Sequence, residues 1–555
     1  MMNTEKLGFY KSGTPWVWLN AGAVSISMIM VVGLLILIAV RGLGHFWPKT
    51  IWEIDYLEGD NQIVLLGERA KTETVPAKQL VASGLHLEFE EEFVERTLLK
   101  VGNRDMYGVD FKLIVKPAEV EVRQPVDVIV LERTQWGNFY GYLQSISEND
   151  NALNIKSDVL WDELQDRLNR VDDLRDEIHE IEKYEIGKIN YKLEKLRLKE
   201  RKIEISGISD PEALKDIKSQ RKGLDDEYEV LKGQLEKLYI AISRDQALMT
   251  IQNGQEKQIK LADIVNATKP NSMGVATKLG HYFVNLKNFV TDDPREANTE
   301  GGIFPAIFGT VMMVLLMSVI VTPFGVIAAI YLREYAKQGF ITRLVRISVN
   351  NLAGVPSIVY GVFGLGFFVY FLGGNIDQLF YPEALPSPTF GSGGLLWASL
   401  TLALLTVPVV IVATEEGLSR IPSSVREGSL ALGATKAETL WRTVIPMASP
   451  AMMTGLILAV ARAAGEVAPL MLVGAVKLAP SLPLDLNAPF LHLERKFMHL
   501  GFHIYDVGFQ SPNVEAARPL VYATALILVV VIVLLNLSAI YIRNHLREKY
   551  RTMEH

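Results

Sequence analysis

The chain has 555 residues, of which 49% are hydrophobic and only 21% charged, and a mean hydropathy of +0.19, too apolar for an ordinary soluble protein of this length. The formal net charge of −7, with basic residues clustered beside apolar runs, gives no support for nucleic-acid binding. The absence of cysteine excludes disulfides, thiolate catalysis and cysteine-ligated metals, and the nine histidines have no metal-binding spacing.

The first apolar run, from about Val17 to Val40, is too long for a signal-peptide core, and Arg41-Gly-Leu-Gly-His45 behind it lacks a small-residue cleavage pattern. It is expected to stay as a membrane anchor. Five further runs, Phe304 to Tyr331, Leu352 to Leu372, Leu395 to Ala413, Ala451 to Val476 and Leu520 to Tyr541, each approach the ~20 residues that cross the hydrocarbon. The expected layout is an N-terminus and first span at 1–47, a charged aqueous insert at 48–300, a five-helix core at 301–545 containing a polar loop at 414–449, and a short tail at 546–555.

Within the insert, Trp161, Leu164, Leu168, Val171, Ile178, Ile181, Ile189, Leu193, Leu196 and Ile203 recur at a mostly three-four spacing, one stripe on a helix. A second stripe follows at Ala213, Ile217, Leu224, Tyr228, Leu231, Leu235 and Leu238. Between them Gly207 suits a helix end, Asp210 before Pro211 suits an N-cap, and Glu212 favours the first turn. An antiparallel coiled-coil hairpin over about 158–245 is predicted. Strand-like pieces at Asn61–Leu66 and Pro125–Leu131 predict that it projects from a small β-rich base, making the insert α+β. Charge-rich hairpins serve equally as solvated spacers and as docking arms, and both readings stay open.

Lysine and arginine divide the short loops by side. Arg333, Lys337, Arg343 and Arg346 follow the second span; Arg420, Arg426, Lys436 and Arg442 follow the fourth; Arg543, Arg547, Lys549 and Arg551 follow the sixth. The loop from Gly373 to Gly394 has neither residue. The positive-inside rule therefore places both termini in the cytoplasm and the insert in the periplasm or cell exterior.

The loop after the fourth span runs from Glu415 to Pro446. Ser423 or Ser424 can cap a short helix, Gly433-Ala434 can bend the chain, and a second short helix is predicted to end at Pro446, the apolar positions of this element being Leu430, Leu440, Trp441 and Val444. Such an element, held between two spans, suits a groove on a cytoplasmic partner. The bland alternative is an ordinary amphipathic loop.

In the fifth span Arg462 and Glu466 are separated by four residues, so a continuous helix would place both on one face. A guanidinium in a bilayer costs about 2.5–3.5 kcal/mol or more, so Arg462 has to face protein or a wet cavity. Two readings follow: a mutually neutralising structural pair, or a planar fork for an oxyanion held and weakened by Glu466. Gly465, Pro469 and Gly474 loosen the same span. No Gly-x-x-x-x-Gly-Lys-Ser/Thr string and no nucleophile–base set is found, so the chain is not expected to be an enzyme or to bind ATP and Mg itself.

The Glu427–Pro446 segment resembles the coupling helices of ATP-binding cassette importer permeases, whose pattern is Glu-Ala-Ala, three residues, Gly, nine residues, Ile, one residue, Leu-Pro. Glu427, Gly433 and Pro446 match at the right intervals; Gly428 and Ser429 replace the alanines, Thr443 the isoleucine and Ile445 the leucine. The strings Gly301–Thr310, Ala328–Ala336, Asn351–Gly361 and Ala461–Leu470, with Ile504-Tyr505 and Ser511-Pro-Asn, resemble the A-type permease family of the phosphate-specific transport system over about residues 300–545. The resemblance implies an all-α polytopic membrane protein of six transmembrane helices with the MetI-like permease fold. It also implies inorganic phosphate as cargo, a C-type permease partner, two copies of an ATPase that bind ATP and Mg, and a periplasmic phosphate-binding protein.

That family often has an arginine just before Thr414-Glu415-Glu416, where this chain has Val412 and Ala413, so the pathway has a second arginine only if the partner permease supplies it. One half-neutralised arginine suits a transit point better than a tight trap. Phosphonate, sulfate or molybdate, equally tetrahedral, remain alternative cargoes, and a permease-derived membrane scaffold or sensor working through its hairpin is a further alternative.

Overall fold

The computed structural model describes residues 14–58, 61–82, 92–116, 119–157, 159–207, 210–511 and 514–551. The outermost parts of both expected termini, Ile208-Ser209 of the hairpin turn and Pro512-Asn513 lie outside the described residues. Among the described residues six helices are long and apolar enough to span a membrane: Pro15–Phe46, Phe304–Tyr335, Ser357–Phe380, Leu395–Ser419, Lys436–Gly465 and Ala517–His545. We call them spans one to six. The chain is thus a multi-pass membrane protein carrying an α+β insert between its first two spans.

Span four lies at the centre, packed by spans two and five. Small residues allow the contacts. A Cβ on Gly325 would meet Val410 Cγ1 at 2.6 Å, one on Gly455 would meet Ala413 Cβ at 2.6 Å, and one on Gly417 would meet Ala451 Cβ at 2.4 Å. Close helix packing of this kind replaces the hydrophobic drive that lipid cannot supply. Gly417→Ala should therefore force spans four and five apart at an overpacking cost of about 1–3 kcal/mol. Thermal unfolding in detergent should register a lower midpoint for this variant and little change for Gly366→Ala, whose Cβ meets nothing within 4 Å. Span one packs mainly on span six, where a Cβ on Gly42 would lie 2.9 Å from the Tyr522 carbonyl oxygen.

Two spans differ from the sequence expectation. Leu352 does not open span three: it ends a separate helix, Phe340–Leu352, because Pro356 has no N–H and pushes Val355 out of helical geometry. Span five does not continue to Val476. Its helix ends at Gly465, Glu466 is extended (φ −82°, ψ 123°), and a short helix Ala468–Val473 follows. Pro469 would clash with the Gly465 carbonyl four residues back if the helix continued.

Among the described residues the insert contains two large antiparallel sheets and, at its end, a two-stranded ribbon of Pro294–Arg295 with Glu300–Gly301, more than a small base. The first has the order β4-β3-β2-β1-β5, with β1 Ile51–Glu58, β2 Asn61–Pro76, β3 Phe93–Lys100, β4 Phe111–Val115 and β5 Glu119–Arg123. The second runs β10-β9-β7-β6-β11, with β6 Ile129–Arg133, β7 Phe139–Glu148, β9 Asp245–Thr250, β10 Glu256–Lys260 and β11 Ile264–Thr268; β8, Asn151–Ala152, pairs with β7. Alternate residues Ile129, Leu131 and Arg133 of β6 are buried, as a period of two requires. The expected strand from Pro125 begins only at Ile129, since Val126 and Asp127 form a turn and Pro125 cannot donate to a ladder.

The helical hairpin is inserted between β8 and β9. Its first arm runs Leu160–Glu180 and Gly187–Ser206 with a wide turn at Ile181–Ile186; Gly207 closes it at φ +66°. Asp210 accepts from the Ala213 N–H at 3.0 Å and starts the second arm, Pro211–Ile242. Where the hairpin returns to the sheet, fully buried Asp245 is held by Arg167 Nη1 at 2.8 Å, Arg170 Nη2 at 2.5 Å and Arg244 Nε at 3.0 Å.

The hairpin also leans on the membrane core instead of projecting freely. Tyr191 donates to the Ala488 carbonyl and stacks edge-on against His492 at 5.8 Å; Lys195 reaches the same carbonyl at 3.0 Å, and Lys202 lies 3.9 Å from Glu383. The receiving loop is internally braced. Burial opposes the charge on Asp485, but the Asn487 N–H, Arg495 and His492 outweigh it and hold its carboxyl below the usual value.

Candidate functional site

Two groups of residues singled out from the sequence lie at opposite ends of one element. The chain from Lys436 to Gly465 is a continuous helical span of 30 residues. At its start is the loop at 414–449, and in its last turn is Arg462.

The loop begins with a helix over Ser423–Ala431. Neither Ser423 nor Ser424 caps it: Pro422 occupies the N-cap position and no side chain bonds the free N–H groups. Gly433 then takes φ +88°, a left-handed conformation that a side chain disfavours, and turns the chain. Thr435 starts the next helix through a reciprocal capping box with Glu438, and the Thr-x-x-Glu string is the sequence signal that marks this helix start. This second helix does not end at Pro446. A wide turn at Leu440–Val444 precedes Ile445-Pro446 and the helix runs on into the membrane.

Of the expected apolar positions, Leu440 and Val444 are buried against Leu418, Ile421 and Ala448. Leu430 and Trp441 are exposed, and so is Leu432, which at 91% is an isolated apolar side chain beside the bend. Glu427 and Gly428 are exposed as well, while Ser429 shares a hydrogen bond of 2.9 Å with buried Thr439 across the turn; Ala434 is half-buried. The loop thus presents Glu427, Leu430, Leu432 and Trp441 outward, which is the composition of a contact surface.

Its underside is fixed. Arg426 pairs with Glu334 at 2.9 Å and donates to the Ile421 and Leu418 carbonyls at 2.7 and 2.8 Å. Lys436 lies over the Tyr335 ring at 4.7 Å and donates to the Glu334 carbonyl. Arg346 holds Glu415 at 2.8 Å. Three cationic residues thus tie the loop and the end of span four to the end of span two and the helix that follows it. Pairs separated by dozens of residues leave no local sequence pattern, and none of these was anticipated.

At the other end Arg462 Nε lies 3.6 Å from Glu466 Oε1. The two residues meet, but not as neighbours on one helical face: Glu466 has left the helix and its side chain returns toward Arg462. The distance is too long for a hydrogen bond, and among the described residues the guanidinium donates none, so its fork stays available while its charge is balanced. A cation in the last helical turn is also favoured by the helix dipole.

The surroundings join two of the strings noted in the sequence. The helix Ser357–Phe363, whose Tyr360 hydroxyl donates to the Leu352 carbonyl at 2.6 Å, packs on Ala468–Val473. A Cβ on Gly361 would come within 2.7 Å of Pro469 Cα. Segments 351–361 and 461–470 are therefore one assembled unit. Arg462, with its side chain 33% exposed, shares a stripe at four-residue spacing with exposed Leu458 and Thr454, while Ala459, Ala463 and Ala464 face the bundle. The guanidinium thus looks outward from this chain and not into a cavity enclosed by it.

Residues 321–552 match the family described as binding-protein-dependent transport system inner membrane component. The chain is similar to the phosphate transport system permease protein PstA 1 of Mycobacterium tuberculosis, 34% identical over 244 residues that cover 44% of this chain and 71% of that one. It is 29% identical to the probable ABC transporter permease protein YqgI of Bacillus subtilis over 45% of this chain and 81% of that one. A probable phosphate transport system permease protein PstA of Methanocaldococcus jannaschii is 33% identical over 34% of this chain and 60% of that one. With 34% of 244 aligned residues identical across 71% of such a relative, the chain belongs to the PstA family of phosphate transport system permeases.

Proposed function

We propose that this chain is the membrane subunit through which an ATP-binding cassette importer moves inorganic phosphate across the inner membrane. In this reading Arg462 is a transit contact on the pathway and the loop at 414–449 is the surface an ATPase engages. The observation that carries it is the single helix Lys436–Gly465, which starts in that loop and ends at the guanidinium. A helix of this length is about 45 Å long, and it runs on from the loop to the guanidinium although Pro446 and Pro450 each lack an N–H donor.

The orientation follows from the lysines and arginines: both termini cytoplasmic and the insert periplasmic. The outward-looking guanidinium implies a second protein wall, since an arginine turned to lipid is costly. A related C-type permease would supply that wall and, with Val412 and Ala413 in this chain, any second arginine. Two copies of an ATPase would hold ATP and Mg, and a periplasmic phosphate-binding protein would deliver cargo. Selectivity then resides mainly in that binding protein, because Arg462 alone offers one half-balanced positive charge to any tetrahedral oxyanion.

Competition in a reconstituted uptake assay tests the cargo. Excess unlabelled phosphate should suppress uptake of labelled phosphate, while equal sulfate, molybdate or phosphonate should not. Equal suppression by sulfate would overturn phosphate as the specific cargo.

A further inference from the structure

The helix Val275–Thr291 links β11 of the insert to span two and is set apart by its apolar arc. At roughly 100° per residue, Ala276, Leu279, Tyr282, Phe283, Leu286 and Phe289 fall within one arc of about 140°. Thr277, His281, Asn285 and Asn288 fill the opposite side, with Lys278 and Lys287 at the two edges; Val284 is the one large apolar residue outside the arc.

Half of this arc is covered by protein. Phe289 is buried and packs at a tilt against Phe46 at 5.1 Å, Tyr282 meets Phe46 and Trp47 at 6.2 Å, and Asn285 donates to the Phe46 carbonyl at 3.3 Å. Phe46 ends span one, while Ile303 and Ala306, in the same cluster, begin span two. The other half is bare: Leu279 is 45% and Phe283 64% exposed. The uncovered apolar surface therefore continues, on the same helix, a contact with the ends of two membrane spans.

We propose that Val275–Thr291 lies in the plane of the bilayer surface on the side from which the insert emerges, with Leu279 and Phe283 in the headgroup–acyl boundary and Lys278 and Lys287 beside the headgroups. An apolar arc edged by lysines at the level where spans leave the hydrocarbon is the pattern of an interfacial helix. Trp47 and Tyr282, in contact with each other, add the amphipathic rings that favour this zone. The helix would fix the height of the insert above the membrane, and with it the hairpin resting on the core. This inference does not depend on the cargo.

The chain has no cysteine, so L279C, F283C, T277C and N288C each carry a nitroxide without background. The full-length chain is reconstituted in phosphatidylethanolamine–phosphatidylglycerol vesicles, and collisions with oxygen and with a water-soluble nickel chelate are measured. The expected result is that oxygen dominates at 279 and 283 and the chelate at 277 and 288. Chelate dominance at 279 and 283 would place that face in water. Exclusion of both reagents there would mean a protein occupant, such as a second copy. Either outcome overturns the proposal.

Discussion

Replacing Arg462 by alanine is expected to lower phosphate uptake by roughly 10- to 100-fold, the span of a charge-assisted hydrogen bond worth about 1.5–3 kcal/mol. Insertion and ATPase binding should be retained, since the guanidinium makes no hydrogen bond within the chain among the described residues and the loop lies at the other end of the helix. Arg462→Lys should restore part of the rate, because it keeps the charge and loses the planar fork. Glu466→Gln acts oppositely: with the balancing carboxylate gone, the anion is held more tightly and released more slowly, lowering both KM and the maximal rate. If Arg462 served only as the terminal charge of its helix, alanine would cost about 0.3–1 kcal/mol of stability and leave uptake unchanged, and that result would remove it from the pathway.

The second large effect is expected at Gly433. Its φ of +88° costs an L-residue about 1–2 kcal/mol, and a β-branched residue resists it most, while a Cβ there meets no atom within 4 Å. Gly433→Val should therefore redirect the bend and displace Leu432 without disturbing the core. ATP hydrolysis and uptake, measured in the same proteoliposomes, should come apart, uptake falling by roughly 5- to 30-fold, the equivalent of the 1–2 kcal/mol conformational cost. Gly433→Asn should be milder, since asparagine tolerates the left-handed region. Glu427→Lys should act similarly: Glu427 is exposed and makes no ion pair among the described residues, so reversing its charge alters only what approaches from outside. A wild-type ratio of uptake to hydrolysis in these variants would count against this loop as the ATPase contact.

What could be read from the chain alone follows a physical division. Spans, insert and hairpin rest on local patterns: apolar run length, the three-four stripe from Leu164 to Leu196, and Gly207 and Asp210 at the turn. Those features depend on neighbours in sequence and were legible. Helix limits at prolines were less so, and for opposite reasons. Pro469 ends a helix that run length alone extends to Val476, whereas Pro446, preceded by the wide turn at Leu440–Val444, ends nothing. One residue type breaks or continues a helix according to whether the preceding turn can do without its N–H. The reach of the loop was understated for this reason: it is the start of span five, not an element hinged to it.

Contacts between distant segments were not legible. Arg426 with Glu334, Arg346 with Glu415, and Tyr191 with the Ala488 carbonyl and His492 join elements dozens to hundreds of residues apart. The pairing of Arg462 with Glu466 came from helical spacing and is present, though a break in the helix brings it about. Leu432 gave no signal because an apolar residue in a short helix is ordinarily covered, and only the left-handed bend after it leaves it bare.

The measurement that most directly tests the central claim is simultaneous ATP hydrolysis and labelled-phosphate uptake in proteoliposomes holding the chain with the proposed C-type permease and ATPase, as phosphate-loaded binding protein is titrated outside. Uptake is predicted to require ATP and to rise with hydrolysis in a fixed ratio as binding protein is added. Uptake that persists without ATP, or hydrolysis that rises with no phosphate entering, would contradict a phosphate permease driven through the Lys436–Gly465 helix.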